Sequence, residues 1–499
     1  MKIWVARKSR VLITGLLLLP IHKHNTMASS ASSSDKNELC GPVTEQHAYL
    51  ERRDATFDDL PDRAATLVVK DKAFHRQFAS IYFIRLLKLR PVIQNEAEQR
   101  WGKLTDKPSY VPKVLDVTHK RCYIIGTVYV DMKLKPNVLN DLAKDHALVA
   151  PAMPAKYRAD DNRISIEDES GRIVLTGAAL EKEFWVTGMI VGLLGKETPE
   201  GLFDVHEICY PGIPEQLPLP KRESNKYIAL VSGLDLGSKG SFDIKTQMLT
   251  EYLSGELGGP DDQKQCSNIS RLIIAGNSIG DLELAEDQGT TKKYGQEFIQ
   301  YDYDPLHHLD ELFEELCGTM PIDIMPGERD PANRQLPQQA MQRSLFPRSH
   351  AMNNLRMVTN PYWCKVDDVV LLGTSGQNID DAFKYVDADT PLTLAERCMF
   401  WRHIAPSAPD TLWCYPFQDQ DPFIVEQSPH VYFVGNQSKF EHSLVEGADG
   451  QKIRVVMVPS FAKTGSIVLL NLSNLDCTEI QITDSDRTAQ HNENMDTSE

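Results

Sequence analysis

The chain has 499 residues and a formal net charge of -17, with 41% hydrophobic and 25% charged residues. That length is enough to bury two or three cores, and the composition excludes an intrinsically disordered or fibrous chain. The acidic excess argues against a protein that wraps nucleic acid, because phosphate affinity comes mainly from Lys and Arg displacing counterions.

At the amino end, Lys2, Arg7, Lys8 and Arg10 precede VLITGLLLLPI at Val11 to Ile21. This run has the charge and length of a signal-peptide start and is too short for a comfortable membrane span. A second methionine, Met27, opens the Ser/Ala-rich stretch MASSASSSDK, which reads as a disordered amino terminus. The expectation is a functional start at Met27, with residues 1-68 a signal-like extension followed by disorder. Nine cysteines, scattered, odd in number and never arranged as C-x-x-C, support neither a zinc ribbon nor a disulfide framework, and predict reduced thiols inside the cell.

From Asp71 to Arg90 the apolar positions Phe74, Phe78, Ile81, Tyr82, Leu86 and Leu89 recur at helical spacing, and Pro91 is expected to interrupt the run. Between Arg63 and Lys107 there are 10 Lys/Arg against 4 Asp/Glu, so the polar face is read as snorkelling basic side chains over a helix packed on its own domain. Residues 69-108 are accordingly a helical segment.

Residues 109-219 turn to short β-runs: RCYIIGTVYVDM, RISIED, RIVLTG, FWVTGMIVGLLG and GLFDVHEICY, with a helix candidate at Val138 to Val149. Five strands, a helix and tight hairpins predict a small Greek-key barrel. Its aromatics Tyr129, Phe184 and Trp185 alternate as core residues do, which favours packing on the strand surface over base stacking.

After the proline-rich GIPEQLPLPKRES the pattern becomes α/β over residues 220-475. Strands KYIALVSG, RLIIAG, IDIMPG, VVLLGT and HVYFVG each run into a glycine that lets the backbone turn sharply. The doublet His307-His308 sits in the acidic run DPLHHLDELFEELCG and is read as part of a solvated helix face. Residues 476-499 hold six Asp/Glu after Cys477 and are expected to be an acidic disordered tail.

Four segments in this α/β region share the shape of a binuclear metal site: LVSGLDLGS at Leu230 to Ser238, IIAGNSIGD at Ile273 to Asp281, MPGERDP at Met325 to Pro331 and VYFVGNQSKF at Val431 to Phe440. They resemble the D-x-H, G-D-x-x-D, G-N-H-[DE] and G-H-x-H segments of calcineurin-like phosphoesterases, whose two ions need carboxylate, imidazole and amide ligands. In register, the ligand positions hold Gly233, Asp235, Asn277, Gly280, Glu328, Arg329, Asn436 and Ser438, with Asp330 retained and no imidazole left. Asp235, Asp281, Asp330 and Glu328 are the only carboxylates left for one hard cation, and Arg329 repels it. The expectation is no catalytic, cofactor-binding or metal-binding residue.

The strings VSGLDLG, MPGERDP, NRQLPQQ, MVTNPY, LLGTSGQNIDD, HIAPSAPDTLWCYPF, DPFI and HVYFVGN together resemble the small (B) subunits of eukaryotic DNA polymerase delta, over about Ala73 to Cys477. The resemblance implies an α/β plus all-β fold: an inactivated two-layer metallophosphoesterase-like domain with an OB-fold barrel. It implies a non-enzymatic accessory subunit in the nucleus for DNA replication and repair synthesis. The implied partners are the C-terminal metal-binding domain of the catalytic subunit and a third subunit, and through them the sliding clamp and DNA, with no cofactor and no membrane. The alternatives are a residual metal-dependent phosphodiesterase or exonuclease using Asp235, Asp281 and Asp330, and direct single-strand binding through the barrel.

Overall fold

The computed structural model describes residues 50-135, 156-159, 162-221, 225-238, 244-280 and 303-482. The signal-like run, the proposed start at Met27, the helix candidate at Val138 to Val149, and Asp281 lie outside the described residues.

Residues 50-67 are ordered, which corrects the expectation of disorder through residue 68. Strand β1 (Phe57–Asp58) pairs antiparallel with Lys365 and Val366. The Arg52 guanidinium donates to the carbonyls of Leu253, Cys266 and Ile269 at 2.6, 2.9 and 2.8 Å, tying the strap to the ends of two helices. The Phe57 ring lies between the guanidiniums of Arg271 and Arg356, at 4.0 and 4.1 Å. The short helix Pro61–Leu67 follows.

The long helix runs Ala79–Trp101 and passes through Pro91. Two parts of the expectation therefore change. Residues 71-78 are turns and irregular chain rather than helix, and the proline does not end the run. Pro91 removes the amide that would bond the Leu87 carbonyl, but Leu87 is 72% exposed, so water can take that acceptor. Leu86, Leu89, Ile93, Ala97 and Trp101 form one stripe packed on Tyr123, Ile125, Ile190, Leu194 and Cys209. Each large apolar side chain buried there contributes about 1.5–3 kcal/mol.

That stripe covers one face of a closed barrel built from β2 (Ser109–Tyr110), β3 (Cys122–Asp131), β4 (Arg163–Glu167), β5 (Arg172–Thr176), β6 (Ile190–Glu197) and β7 (Phe203–Cys209). The order is β2-β3-β4-β5-β7-β6, and an antiparallel β3–β6 pairing closes it. Ile124, Val128, Ile166, Val191, Leu193 and Phe203 fill the inside, while Tyr123 and Ile125 face the long helix. Double coverage explains why β3 reads as an almost unbroken apolar run. The β4–β5 turn is held by Asp168 Oδ1, which accepts from the Ser170 amide at 2.7 Å. The predicted run FWVTGMIVGLLG is strand only from Ile190, because Gly188 at φ 94° breaks it.

The remainder is a sandwich of two six-stranded sheets formed by β8 (Tyr227–Val231), β9 (Ile269–Ala275), β10 (Ile322–Met325), β11 (Leu355–Met357), β12 (Tyr362–Val366), β13 (Val369–Thr374), β14 (Val431–Gln437), β15 (Glu441–Glu446), β16 (Lys452–Pro459), β17 (Ser466–Asn471) and β18 (Cys477–Gln481). The sheet orders are β11-β10-β9-β8-β17-β18 and β1-β12-β13-β14-β16-β15. Ile228, Leu230, Ile273 and Ala275 of one sheet meet Leu371, Val431, Phe433 and Val456 of the other. Helices Ile244–Ser254, Pro260–Ser267 and Asp304–Cys317 cover one outer face. Gln377–Phe383 and Pro391–Phe400 cover the other. The five predicted strands thus divide between two facing sheets, three in one and two in the other.

The predicted tail begins too early at 476, since β18 pairs antiparallel with β17 through Leu470↔Cys477 to Ser466↔Gln481. Ile480 packs against the helix-covered core, and such a strand is not legible in CTEIQ, whose acid masks its alternation. The proline-rich stretch at 212-221 is also fastened down: Gln216 donates to the carbonyls of Pro429 and Lys452 at 2.8 and 2.7 Å and accepts from the Lys452 amide at 2.9 Å. His307 and His308 are exposed on the helix Asp304–Cys317. Among the described residues, eight cysteines are free thiols and no helix is long and apolar enough to cross a membrane.

Candidate functional site

The four motif segments converge where the strands of the two sheets end. The loops after β8 and β9 run side by side: amides of Gly233, Asp235 and Leu236 donate to the carbonyls of Gly276, Asn277 and Ser278 at 2.9, 3.0 and 3.1 Å. Gly233, Asp235 and Asn277 hold left-handed backbone at φ 62°, 48° and 52°. The first is easy for glycine; the others use the tolerance of Asp and Asn for that region.

The third segment crosses these two loops. Arg329 donates from Nη1 to Asp235 Oδ1 at 3.0 Å and from its amide to Asn277 Oδ1 at 3.2 Å. Asp330 is buried and accepts from the amides of Ile279 and Gly327 at 3.0 and 2.7 Å. Burial pushes its carboxyl up to about 6, and the amide hydrogen bonds pull the other way. From the fourth segment, Asn436 donates its amide to Ser232 Oγ at 2.8 Å and its Nδ2 to the carbonyls of Ser375 and Ala275 at 2.8 and 3.2 Å. Ser438 and Glu328 are exposed at the rim.

The structure therefore brings Gly233, Asp235, Asn277, Gly280, Arg329, Asp330 and Asn436 to one place, as the register of the motifs predicts. The donor set does not fit two divalent cations. Asp235 is paired with a guanidinium, and the lone pairs of Asn277 and Asp330 are used by neighbouring amides. A Cβ on Gly233 would lie 2.6 Å from Ser460 Oγ, and one on Gly280 would lie 1.9 Å from Ser238 Oγ. Among the described residues no three His, Cys, Asp or Glu are grouped to hold a metal ion.

Behind these loops lies a buried amide network that sequence reasoning passes over. Gln338 Nε2 donates to the carbonyls of Gly327 and Asn333 at 2.9 Å each, and Gln338 Oε1 accepts from Asn360 Nδ2 and Gln377 Nε2 at 2.8 and 2.9 Å. Asn360 Oδ1 accepts from the Ser375 amide at 3.1 Å. The strings NRQLPQQ, MVTNPY and LLGTSGQNIDD meet here, so their polar residues hold the rim in shape. Clustered Gln and Asn beside proline, far apart in sequence, are the available signal.

A second buried network joins the long helix, the barrel and the sandwich. Arg85 donates to Asp421 Oδ2 at 2.7 Å and to the carbonyls of Gly188, Pro406 and Ala408 at 2.9, 3.0 and 2.8 Å. His403 Nε2 bonds the same Asp421 oxygen at 2.9 Å. Burial and the Arg85 charge push the His403 imidazole down to about 4. The reading of a snorkelling basic face fails at Arg85, which is fully buried.

On the barrel, the candidate stacking aromatics are already covered. Arg172 lies 3.8 Å over the Tyr129 ring, Arg397 lies 5.9 Å over Phe184, and Trp185 is buried with Nε1 donating to the Leu180 carbonyl at 2.8 Å.

The profile of the B-subunit family of DNA polymerases alpha and epsilon matches residues 228-442, and that of the DNA polymerase delta subunit OB-fold domain matches residues 77-208. The chain is 39% identical to the DNA polymerase delta small subunit of Arabidopsis thaliana over 86% of this chain and 95% of that one. It is 34% identical to the DNA polymerase delta small subunit of Saccharomyces cerevisiae over 83% and 91%, and 33% identical to DNA polymerase delta subunit 2 of Drosophila melanogaster over 82% and 94%. The barrel is thus an OB-fold domain, and the chain belongs to the family of DNA polymerase delta small subunits.

Proposed function

We propose that this chain is a non-catalytic accessory subunit of DNA polymerase delta, acting as a rigid scaffold in DNA replication. The observation that carries the reading is the Arg329–Asp235 pair at the meeting point of the four motif loops. A guanidinium sits where a metal-dependent esterase needs cations, while the surrounding scaffold of two helix-covered sheets remains ordered. We read that scaffold as an inactivated calcineurin-like phosphoesterase domain that extends from about residue 220 through β18, joined to the OB-fold domain over 109-219 and the helical segment that contains Ala79–Trp101.

The partners are polymerase subunits. The finer proposal is that the catalytic subunit's C-terminal metal-binding domain docks across the OB-fold and sandwich domains, and that a third subunit docks elsewhere and links the assembly to the sliding clamp, in the nucleus. The Arg85 network supports this, because it holds helix, barrel and sandwich as one platform that presents a surface spanning all three. An acidic chain of net charge -17 also suits partners with basic surfaces.

Coexpression with the catalytic subunit's C-terminal domain tests the reading. A ligand that binds only the native state raises its apparent stability, so copurification and a higher melting temperature are expected. Unchanged melting and separate elution would overturn it.

A further inference from the structure

Beside the former metal site, Glu328, Arg334, Asp380, Lys384 and Trp413 line a pocket of about 260 Å³. Trp413 is 65% exposed, although its backbone is fixed: its carbonyl accepts from the Leu336 amide at 2.9 Å, and the Tyr415 amide donates to the Leu336 carbonyl at 2.9 Å. Cys414 and Tyr415 on the same segment are buried. The indole is thus held out on a rigid strand-like segment, which is how interfaces present an anchor at low entropic cost.

Glu328 forms no ion pair or hydrogen bond among the described residues, and it is exposed on the lining of the same pocket. Among the described residues, the Asp380 carboxyl accepts one side-chain hydrogen bond, from Gln437 Nε2 at 3.1 Å. Asp380 is solvent-exposed on the helix Gln377–Phe383, close enough to Glu328 to feel its charge, with Lys384 and Lys463 acting in the opposite sense. The lining carries three carboxyl groups, Glu328, Asp380 and Asp381, against two cations, Arg334 and Lys384, an excess of one acid. Arg334 and Lys384 leave the wall with mixed sign, so the pocket favours a single cation at the Trp413–Glu328 side over a polybasic patch.

We propose that Trp413 and Glu328 receive one arginine or lysine side chain from an extended segment of a partner polymerase subunit, with the cation over the indole and hydrogen-bonded to the carboxylate. This rests on the accessory-subunit reading and names one contact within it. The degenerate metal site would then have exchanged a bound metal ion for a partner's organic cation at its rim.

The experiment uses the full chain coexpressed with the polymerase delta subunits. Trp413 should be strongly protected from hydroxyl-radical oxidation in the assembly relative to the free chain. Trp413→Ala and Glu328→Arg should each weaken assembly about tenfold, as a hot-spot truncation does, while Glu328→Asp should change it by less than about threefold. Unchanged melting of each free variant separates these losses from misfolding. Photo-cross-linking from position 413 should reach a partner peptide containing Arg or Lys. Full oxidation of Trp413 in the assembly, or cross-links to nucleic acid, to a second copy or to a segment without a basic residue, overturns the pocket assignment while the accessory-subunit reading stands. Failure of the wild-type chain to assemble overturns both.

Discussion

Arg85 Nε and Asp421 Oδ2 lie 2.7 Å apart with both side chains fully buried, one from the long helix and the other from a loop of the sandwich. Three of the four remaining guanidinium hydrogens go to carbonyls, one of them Gly188 of the barrel. A buried pair is no proof of net stabilisation, because desolvation opposes it, but removing one partner strands a charge in the core. Arg85→Met and Asp421→Leu should therefore each cost about 3–5 kcal/mol of unfolding free energy, whereas the double variant recovers much of that loss. Arg85→Lys should fail to rescue, since a single ammonium cannot serve all four acceptors. Urea denaturation of the four variants measures the coupling, and additive losses would show the pair is not acting as a unit.

The same network predicts an acid dependence. His403 is neutral in the folded chain because burial and Arg85 hold it at about 4, against an ordinary value of 6.5. Below about 6.5 the unfolded chain binds a proton that the folded chain refuses, so stability falls as the pH drops from about 6.5 to about 4. The loss from this one group is on the order of 3 kcal/mol once complete. Asp421 is held well below the usual carboxylate range and adds its own loss only below about 4. Between pH 7 and pH 5 the raised Asp330 carboxyl acts in the opposite sense, so the His403 contribution is read as a difference: the midpoints of His403→Gln should fall less with acid than those of the wild-type chain. An unaltered slope in the variant would falsify the assignment.

Much of this arrangement is legible in the sequence. The glycines after each apolar run mark the strand ends, and the register of LVSGLDLGS, IIAGNSIGD, MPGERDP and VYFVGNQSKF places Asp235, Asn277, Arg329 and Asn436 at one site. Arg85 is not legible, because a basic residue on an amphipathic helix ordinarily points to water and only the distant Asp421 reverses that. Pro91 misleads for a similar reason: the cost of a proline depends on whether the orphaned Leu87 carbonyl is hydrated. The tail boundary fails because β18 is fixed by pairing with Ser466–Asn471, a non-local gain that CTEIQ does not display.

Placing a carboxylate at Gly233, the position in register with the first ligand of the phosphoesterase motif, should damage the fold and create no metal site. Gly233 holds φ 62°, and a side chain there meets Ser460 Oγ and Asn436 Oδ1 at 2.6 and 2.8 Å from its Cβ. Gly233→Asp should destabilise the chain by about 2–4 kcal/mol through backbone strain and overpacking. Millimolar manganese should leave the variant's melting temperature where it was. A manganese-dependent rise of several degrees would mean that the loops can still assemble a site.

Asp330 is a carboxylate in register with the phosphoesterase motif, and a structural role for it can be separated from a chemical one. As a buried acceptor for the amides of Ile279 and Gly327 it braces the loop after β9 against the loop after β10. Asp330→Ala strands both donors and should cost about 2–6 kcal/mol, at about 1–3 kcal/mol for each buried group left unsatisfied. Asp330→Asn keeps an acceptor for one amide and should lose less. As a catalytic group Asp330 should contribute nothing, because its oxygens are taken and Arg329 occupies the space between the loops. The purified chain should release no nucleotides from single-stranded or mismatched DNA ends with manganese present. Turnover that survives purification and vanishes in Asp330→Asn, with melting unchanged, would return this residue to chemistry and the chain to the enzymes.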